Sequence, residues 1–460
     1  MNKVYPVLSA ALLAALPLNA DDFSWNSSTS ANWSSAGSWL QGSAPGTGDS
    51  ILSPTQVGAA VLDVDADLLN FTVTSGGNWD IQANANRTLS ISSLTKSGGS
   101  RIQFYINAAT STLDMTVGTI TVSSGTLALG RENGFADRNL TSLTVTGKTT
   151  VNGGYLALNS ANANLSEVEI NGGSMAIFTQ QSSSDITGGA TIKGLSGTGG
   201  QIFTMNANAT AKRDGILTID TDEGTEYTYS GTVLNRGGGT GGEITFSIVK
   251  NGLGIQRLSG SNSYSGTTTV NAGTLLVNGT HAAAGAYLIN GGLLGGSGSI
   301  TTNNADITVA NGAGLTPGDG GTGTLTVNVG TGTLDISGAV ASVNALAYQI
   351  DAIGSSDAID VTGTLNIGSA MLDLDSFDFT FLSGTEVGDY TLISTTETIV
   401  GTLGSNTSSV VDGYGVTLSI SGDGTDVVLS VTSIPEISHV SALVGLGALL
   451  FILVKRKAVK

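Results

Sequence analysis

The sequence predicts an all-β protein whose central part is a right-handed parallel β-helix, a solenoid with capped ends. Three observations support this prediction: a short motif recurs along the chain, Gly accounts for 66 of the 460 residues, and large or charged side chains are scarce. Charged residues make up 11% of the chain and aromatic residues 5%. Such a composition suits thin stacked layers of sheet better than the compact core of an ordinary domain.

The recurring motif is a β-branched residue, then Asn or Ser, a small residue and Gly, and then apolar positions of a strand. Its copies are VSSGTLAL from Val122, VNGGYLAL from Val151, INGGSMAI from Ile170, VNAGTLLV from Val270 and INGGLLGG from Ile289. Two pairs of copies follow one another at the same interval, Val151 to Ile170 and Val270 to Ile289, and a unit of about 20 residues is typical of solenoids. We expect Asn and Gly to form corners and the strands to stack in parallel with right-handed connections.

The two ends of the repeat region, which we place at residues 51–370, differ from it in composition. Residues 21–50 contain three of the four Trp residues, Trp25, Trp33 and Trp39. Because the end of a solenoid exposes unpaired strand edges, we expect this segment to be an N-terminal cap; a stacking platform for sugar rings is the alternative. Residues 371–432 are richer in Asp, Phe and Tyr, which predicts a C-terminal β cap.

Both ends of the chain carry targeting features. Residues 1–20 have a basic start, an apolar run and a small-residue end, which is the pattern of a secretory signal peptide. Residues 433–460 contain an uncharged run followed by Lys455, Arg456 and Lys457. Because basic flanks stay on the cytoplasmic side, we expect a single apolar helix in the inner membrane, as a transient or stable anchor, with the rest exported.

Charge and residue content exclude several classes of function. The formal net charge is −18, so nucleic acid and anionic lipid are poor partners for the body of the chain. The absence of Cys excludes disulfide bridges, thiolate chemistry and Cys-ligated metal sites. The chain has only two histidines, His281 and His439, and this small number argues against a His-based zinc site. We expect His281 to lie in a solvated corner.

Three groups of carboxylates are candidate sites. Asp63, Asp65 and Asp67 alternate in VLDVDADLL, so on a strand they would share one face. The looser groups are Asp220, Asp222 and Glu223 in TIDTDEG, and Asp373, Asp375 and Asp378 in MLDLDSFDF. Such groups could hold Ca²⁺ or act as acid and base on a glycan. The first group is the calcium candidate, although it lacks the EF-hand spacing, and a solvated strand face is the alternative.

Residues 229–279 resemble the autotransporter-associated β-strand repeat of bacterial passenger domains. The matching residues include Lys250, Gly252, Tyr264 and the VNAGTLLVNG run from Val270. The resemblance implies a β-helical stalk at the cell surface, and it implies no catalytic residues.

The end of the chain resembles the PEP-CTERM sorting signal, in which a Pro-Glu motif precedes an apolar segment and basic residues. Pro435 and Glu436 match the first two motif positions, and Ile437 stands where a second Pro is expected. The resemblance implies processing by an exosortase-type enzyme at the inner membrane. It also implies export to the envelope of a Gram-negative-type bacterium and an association with exopolysaccharide.

These patterns together predict an exported, non-enzymatic structural or adhesin-like protein of the cell surface or extracellular matrix. We expect it to present a hydroxyl- and amide-rich face to exopolysaccharide or other cell-surface glycans, and we predict neither catalytic nor cofactor-binding residues. Two alternatives stay open. One is a β-helical polysaccharide-cleaving enzyme that uses an acidic group, and the other is a membrane-tethered envelope protein of the S-layer type.

Overall fold

The computed structural model describes residues 21–433 except 55–57, 75–76, 109, 132–139, 161, 178–185, 207–211, 238–242 and 340–344. Within these residues the chain is all-β, as predicted, and the helices that lie wholly inside them are single 3-10 turns at Ala36–Ser38 and Leu374–Ser376. No helix in the described part is long and apolar enough to cross a membrane. The predicted signal peptide and the predicted tail helix, with Pro435, Glu436 and residues 455–457, lie outside the described residues.

The strands are short and follow one another closely. The first twenty-three are β1 (Asp22–Ser24), β2 (Ala31–Asn32), β3 (Asp49–Leu52), β4 (Ala60–Val61), β5 (Ala66–Val73), β6 (Trp79–Ala83), β7 (Arg87–Lys96), β8 (Arg101–Ile106), β9 (Leu113–Val122), β10 (Thr126–Leu129), β11 (Ser142–Val145), β12 (Thr149–Val151), β13 (Tyr155–Leu158), β14 (Ala163–Ile170), β15 (Ser174–Ile177), β16 (Ile186–Ser196), β17 (Gln201–Asn206), β18 (Arg213–Asp220), β19 (Glu226–Tyr229), β20 (Thr232–Gly237), β21 (Ile244–Asn251), β22 (Ile255–Leu258) and β23 (Ser261–Asn262).

The remaining strands continue this pattern to the end of the described residues. They are β24 (Thr268–Val270), β25 (Thr274–Val277), β26 (Thr280–Ala284), β27 (Tyr287–Ile289), β28 (Gly292–Gly296), β29 (Ser299–Thr302), β30 (Ile307–Val309), β31 (Ala313–Pro317), β32 (Thr324–Asp335), β33 (Leu346–Ile350), β34 (Ala358–Leu372), β35 (Phe377–Phe381), β36 (Gly388–Thr395), β37 (Val400–Leu403), β38 (Ser408–Val411), β39 (Tyr414–Ile420) and β40 (Asp426–Ser433).

The described residues form two compact units, the first up to residue 268 with 281–283 and the second of residues 269–280 with 284–433. In the first unit, most successive strands alternate between two sheets. Sheet A includes β1, β3, β5, β7, β9, β11, β12, β14, β16, β18 and β21, and sheet B contains β2, β4, β6, β8, β10, β13, β15, β17 and β20. The pairings among these strands are parallel. This alternation is consistent with the predicted β-helix.

The sequence motifs stack in register, as the repeat predicts. Tyr155 pairs with Ser174 in the first unit, and Thr274 pairs with Leu293 in the second. Other pairings join positions that lie farther apart along the chain, such as Thr126 with Tyr155. The predicted repeat length therefore holds for the closest motif copies only, since the loops that join the strands differ in length.

The motif's Asn and Gly form the predicted corners. Asn171 Nδ2 donates to Asn152 Oδ1 on the preceding corner (3.0 Å). Gly173 has φ +66°, and a Cβ placed there would lie 2.4 Å from the carbonyl oxygen of Gly154. Only Gly combines positive φ with this close approach at low cost. Asn271, Asn290 and Gly292 repeat the arrangement in the second unit, with the same 3.0 Å contact between the two Asn side chains.

A continuous column of aromatic rings occupies the core where the first unit begins. Its centroid distances are Trp33–Trp39 4.7 Å, Trp39–Trp25 5.2 Å, Trp25–Trp79 6.1 Å, Trp79–Phe71 5.5 Å and Phe71–Phe104 5.3 Å. The four Trp side chains are at most 2% exposed. They therefore offer no open face to a sugar ring, which removes the support for the stacking-platform alternative, while the capping role stays a prediction.

The second unit changes from parallel to antiparallel pairing along the chain. β25, β28, β31, β33 and β35 belong to one sheet and pair in parallel, and β32 and β34 are parallel to their partners. The pairings β36–β40, β38–β39 and β39–β40 are antiparallel. Residues 371–432 thus include an antiparallel sheet, and their role as a cap stays a prediction.

Candidate functional site

The first acidic group does not lie on one strand. β4 ends at Val61 and β5 begins at Ala66, so Asp63 and Asp65 lie in the connection and only Asp67 belongs to a strand. The expectation that the three carboxylates share a strand face is therefore wrong. The alternating pattern of the sequence spans a corner, where the period of two residues no longer sets the direction of a side chain.

Asp63 and Asp65 instead hold neighbouring segments together. Asp63 accepts hydrogen bonds from the N–H and the hydroxyl of Ser34 (2.9 and 2.5 Å), and Asp65 accepts one from the N–H of Thr88 (2.8 Å). Burial opposes ionisation of Asp63, but the Ser34 hydrogen bonds outweigh it and lower its pKa. Among the described residues, no group of three or more His, Asp or Glu side chains is placed to hold a metal ion.

The two looser acidic groups also make local contacts. Lys193 Nζ lies 2.9 Å from Asp220 Oδ2 and 3.0 Å from Asp222 Oδ1. Asp373 accepts the N–H of Asp375 (3.1 Å) and caps the 3-10 turn that follows it. These contacts give each group a structural role.

His281 is buried, so the expectation of a solvated corner is wrong. It lies on β26 at 2% exposure, with its ring 3.9 Å from the Tyr264 ring, centroid to centroid. Its Nε2 donates to the Tyr264 carbonyl oxygen (2.8 Å). Burial lowers the pKa of His281 to about 4 despite this hydrogen bond, so the imidazole is neutral at physiological pH and packs as part of the core.

Two lysines occupy equivalent interior positions in the first unit. Lys250 Nζ donates to the carbonyl oxygens of residues 251 and 252 (2.6 and 2.8 Å), and Lys96 Nζ donates to those of residues 97 and 98 (3.2 and 2.7 Å). Burial lowers the pKa of Lys250 to about 8 and lowers that of Lys96 as well. Sequence analysis found Lys250 through the repeat but missed Lys96, whose following residues, SGGS, only loosely match NGLG.

A row of short polar side chains runs along the outward face of sheet A. Parallel register places its members on seven strands of the sheet, and we call them the polar row: Asp67, Ser90, Thr116, Thr144, Asn164, Thr191 and Thr218. They are exposed or half-buried, whereas their strand neighbours such as Leu89 and Val117 are buried. With strands ~4.8 Å apart, the row extends over about 29 Å.

The six uncharged members of the polar row make no side-chain hydrogen bond in the described structure. Other outward hydroxyls of the sheet are engaged; for example, Ser142 donates to Asp114 (2.5 Å). Within the described part of the chain, the polar row therefore presents hydroxyl and amide groups that no other side chain or backbone group occupies.

Two grooves follow the polar row. One, of about 220 Å³, is lined by Ser90, Thr116 and Gly118, and the other, of about 270 Å³, by Asn164, Gly189, Thr191 and Thr218, with their neighbours. Each groove has a glycine where a side chain would clash with the neighbouring strand, because a Cβ at Gly118 would lie 2.1 Å from the Ser92 carbonyl oxygen and one at Gly189 would lie 2.7 Å from that of Ile216. Both grooves are shallow, and members of the polar row contribute to the lining of each.

A second in-register row lies farther along the same strands. We call it the threonine row, and it consists of Thr72, Thr95, Thr121 and Thr150. Its members are half-buried, and none of them lines the two grooves. It offers a matched comparison for the polar row.

Comparison with known proteins gives two partial matches. The family model described as the passenger-associated-transport-repeat matches residues 248–277. A curated relative, the adhesin BmaC autotransporter of Brucella suis biovar 1, is 41% identical over 96 residues. That match covers 20% of this chain and 2% of the relative. The matched repeat includes Lys250 and Tyr264.

Proposed function

We propose that this chain is a non-enzymatic, adhesin-like protein of the bacterial surface or extracellular matrix, and that it binds neutral polysaccharide along the polar row. The observation that carries the proposal is the line of six uncharged polar side chains without hydrogen-bond partners in the described structure, next to two grooves. The similarity to a passenger repeat and to an adhesin supports the surface location.

The proposed architecture is a right-handed parallel β-helix. Support comes from the alternation of strands between two parallel sheets, from corners closed by Asn pairs, and from the right-handed preference of parallel crossovers. Stacking of this kind turns one short polar residue per turn of the chain into a straight row. Such a row fits a repeating ligand because each added unit meets another hydroxyl or amide at the same spacing.

Binding through the row would be weak at each position and additive over many. A hydrogen bond exchanged for water contributes a net ~0.5–1.5 kcal/mol, which is too little for one contact to hold a sugar. Several contacts on one polymer gain from effective concentration, since each later contact forms within the same complex. A rigid row has little conformational entropy to lose.

Replacing Thr116, Thr144 and Thr191 together by Val is expected to weaken binding to insoluble neutral glucans at least tenfold. The exchange keeps the shape and β propensity of each side chain but removes three hydrogen bonds, each contributing ~0.5–1.5 kcal/mol. The measurement is depletion of the purified chain from solution by β-1,4- and β-1,3-glucan particles at increasing particle concentration.

The matched control is the triple Val exchange of Thr72, Thr95 and Thr121 in the threonine row, which removes the same groups from the same sheet. We expect this variant to bind like the unchanged chain. If both triple variants lose the same amount of glucan binding, the hydroxyls of sheet A bind glucan whether or not they line a groove. Unchanged binding of the polar-row variant, or no binding of any glucan by the parent chain, would refute the proposal.

We also propose that the end of the chain is an export and sorting segment, recognised through Pro435 and Glu436 by an exosortase-type enzyme. The support is the sequence pattern, in which the uncharged run is followed by Lys455, Arg456 and Lys457. We expect the mature protein recovered from cell surface or medium to end near residues 433–436, as measured by C-terminal peptide mass. Recovery of a chain that retains Lys460 in the inner-membrane fraction would contradict processing and indicate a stable single-pass anchor.

A further inference from the structure

Most basic side chains of the first unit are paired with a carboxylate or donate to a backbone carbonyl. The ion pairs are Arg101–Asp80, Lys148–Glu169, Lys193–Asp220, Lys212–Asp214 and Arg257–Glu226, and Arg87, Lys96 and Lys250 donate to carbonyl oxygens. Among the described basic side chains, Arg131 and Arg236 have no such anionic or carbonyl acceptor. Nη1 of Arg131 is buried without a hydrogen-bond partner, which is unusual for a guanidinium donor.

Both arginines instead lie over an aromatic ring on the outward face of sheet B. The guanidinium carbon of Arg131 is 5.1 Å from the Tyr105 ring centroid, and that of Arg236 is 4.8 Å from the Phe203 ring centroid. Each reaches back to the strand before its own, since Arg131 follows β10 and contacts β8, while Arg236 lies on β20 and contacts β17. Stacking fixes the plane of a guanidinium and leaves its edge free to donate.

The repeated geometry separates the two arginines by a defined distance along the sheet. β10, β13, β15, β17 and β20 are successive strands of sheet B, so four steps of ~4.8 Å place the two positions about 19 Å apart. Arg131 is half-buried and Arg236 is exposed. The fork of N–H donors of Arg236 is therefore open to a ligand, whereas Arg131 has its Nη1 enclosed and can offer only its other donors. The planar guanidinium matches a carboxylate in two parallel hydrogen bonds.

We propose that Arg131 and Arg236 are two anchor points for the carboxylate groups of an acidic polysaccharide. In a chain with net charge −18, two unpaired cations on one face mark the place where an anionic ligand meets complementary charge. A single exposed ion pair is weak, so a ligand that carries many carboxylates on one chain, rather than a small anion, uses both anchors. This inference goes beyond the proposed function, because it concerns another sheet and a charged ligand.

The test is binding of the purified full chain to immobilised polygalacturonate at low salt, compared with the same polymer after reduction of its carboxyl groups. Arg131→Gln and Arg236→Gln are each expected to weaken binding to polygalacturonate at least threefold, and the double variant at least tenfold. Arg257→Gln is the matched control, because it removes the same charge from an arginine that is paired with Glu226. We expect it to bind polygalacturonate like the unchanged chain.

Equal weakening by Arg257→Gln would overturn the proposal, because net charge rather than position would then explain the effect, and so would wild-type binding by the double Gln variant. A double Lys variant keeps both charges without the planar forks; binding at the wild-type level would overturn the assignment to bidentate contacts. Thermal unfolding confirms that each variant is folded. Binding to neutral glucans is measured on the same variants, so failure of this proposal and failure of the polar-row proposal are distinguishable.

Discussion

Replacing Trp39 by Ala is expected to lower the free energy of unfolding of the first unit by about 3–5 kcal/mol, the usual cost of removing a buried large aromatic side chain. Trp39 is 2% exposed and lies between Trp33 and Trp25, with centroid distances of 4.7 and 5.2 Å. Its Nε1 donates to the Trp33 carbonyl oxygen (2.7 Å). The exchange therefore leaves a cavity inside the column and an unpaired carbonyl.

Urea unfolding followed by tryptophan fluorescence measures this effect. The four Trp residues of the chain all belong to the first unit, so the three that remain report on that unit. The control is Leu40→Ala, which changes the next residue, 59% exposed, and is expected to change stability by less than about 0.5 kcal/mol. A loss for Trp39→Ala no larger than that of the control would show that the aromatic column does not hold the start of the unit together.

The repeat motif predicted the local fold well because its physical causes are local. Gly173 and Asn171 adopt the corner that their own chemistry favours, and the spacing of the motif copies places Tyr155 beside Ser174. The longer repeat units were not predicted, because the loop between two paired strands can lengthen without changing the sequence of the strands themselves. Thr126 and Tyr155 therefore pair across a longer stretch of chain, without any motif spacing to show it.

The candidate site was predicted only as a kind of surface. A hydroxyl- and amide-rich face follows from composition, but the members of the polar row are separated by unequal intervals. Asn164 pairs with Thr144 across a shorter stretch of chain than the one that separates it from Thr191, its partner on the other side. The aromatic partner of Arg236 was hidden for the same reason, because Phe203 lies on the preceding strand of the sheet. Register must be known before such residues come together.

The side-chain amide of Gln256 makes two hydrogen bonds to strand β16 of the kind that a neighbouring strand makes elsewhere. β16 pairs with β18 only from Ile186 to Ile192, and beyond that point the Gln256 amide meets the backbone of Leu195. Gln256 Oε1 accepts from the Leu195 N–H (3.1 Å), and Nε2 donates to the Leu195 carbonyl oxygen (2.8 Å). The side chain is 0% exposed, so neither backbone group has water as an alternative partner there.

Replacing Gln256 by Leu is therefore expected to destabilise the first unit by about 2–6 kcal/mol, since it leaves two buried backbone groups unpaired at ~1–3 kcal/mol each. Leu approximates the volume of Gln, so the loss reports hydrogen bonding more than packing. Urea unfolding by tryptophan fluorescence gives the measurement, and Gln201→Leu at an exposed position is the control. If both variants unfold at the same urea concentration as the unchanged chain, the prediction is wrong. The N–H and the carbonyl of Leu195 would then be hydrated in the Gln256→Leu variant, and the Gln256 amide would not be needed in place of a neighbouring strand.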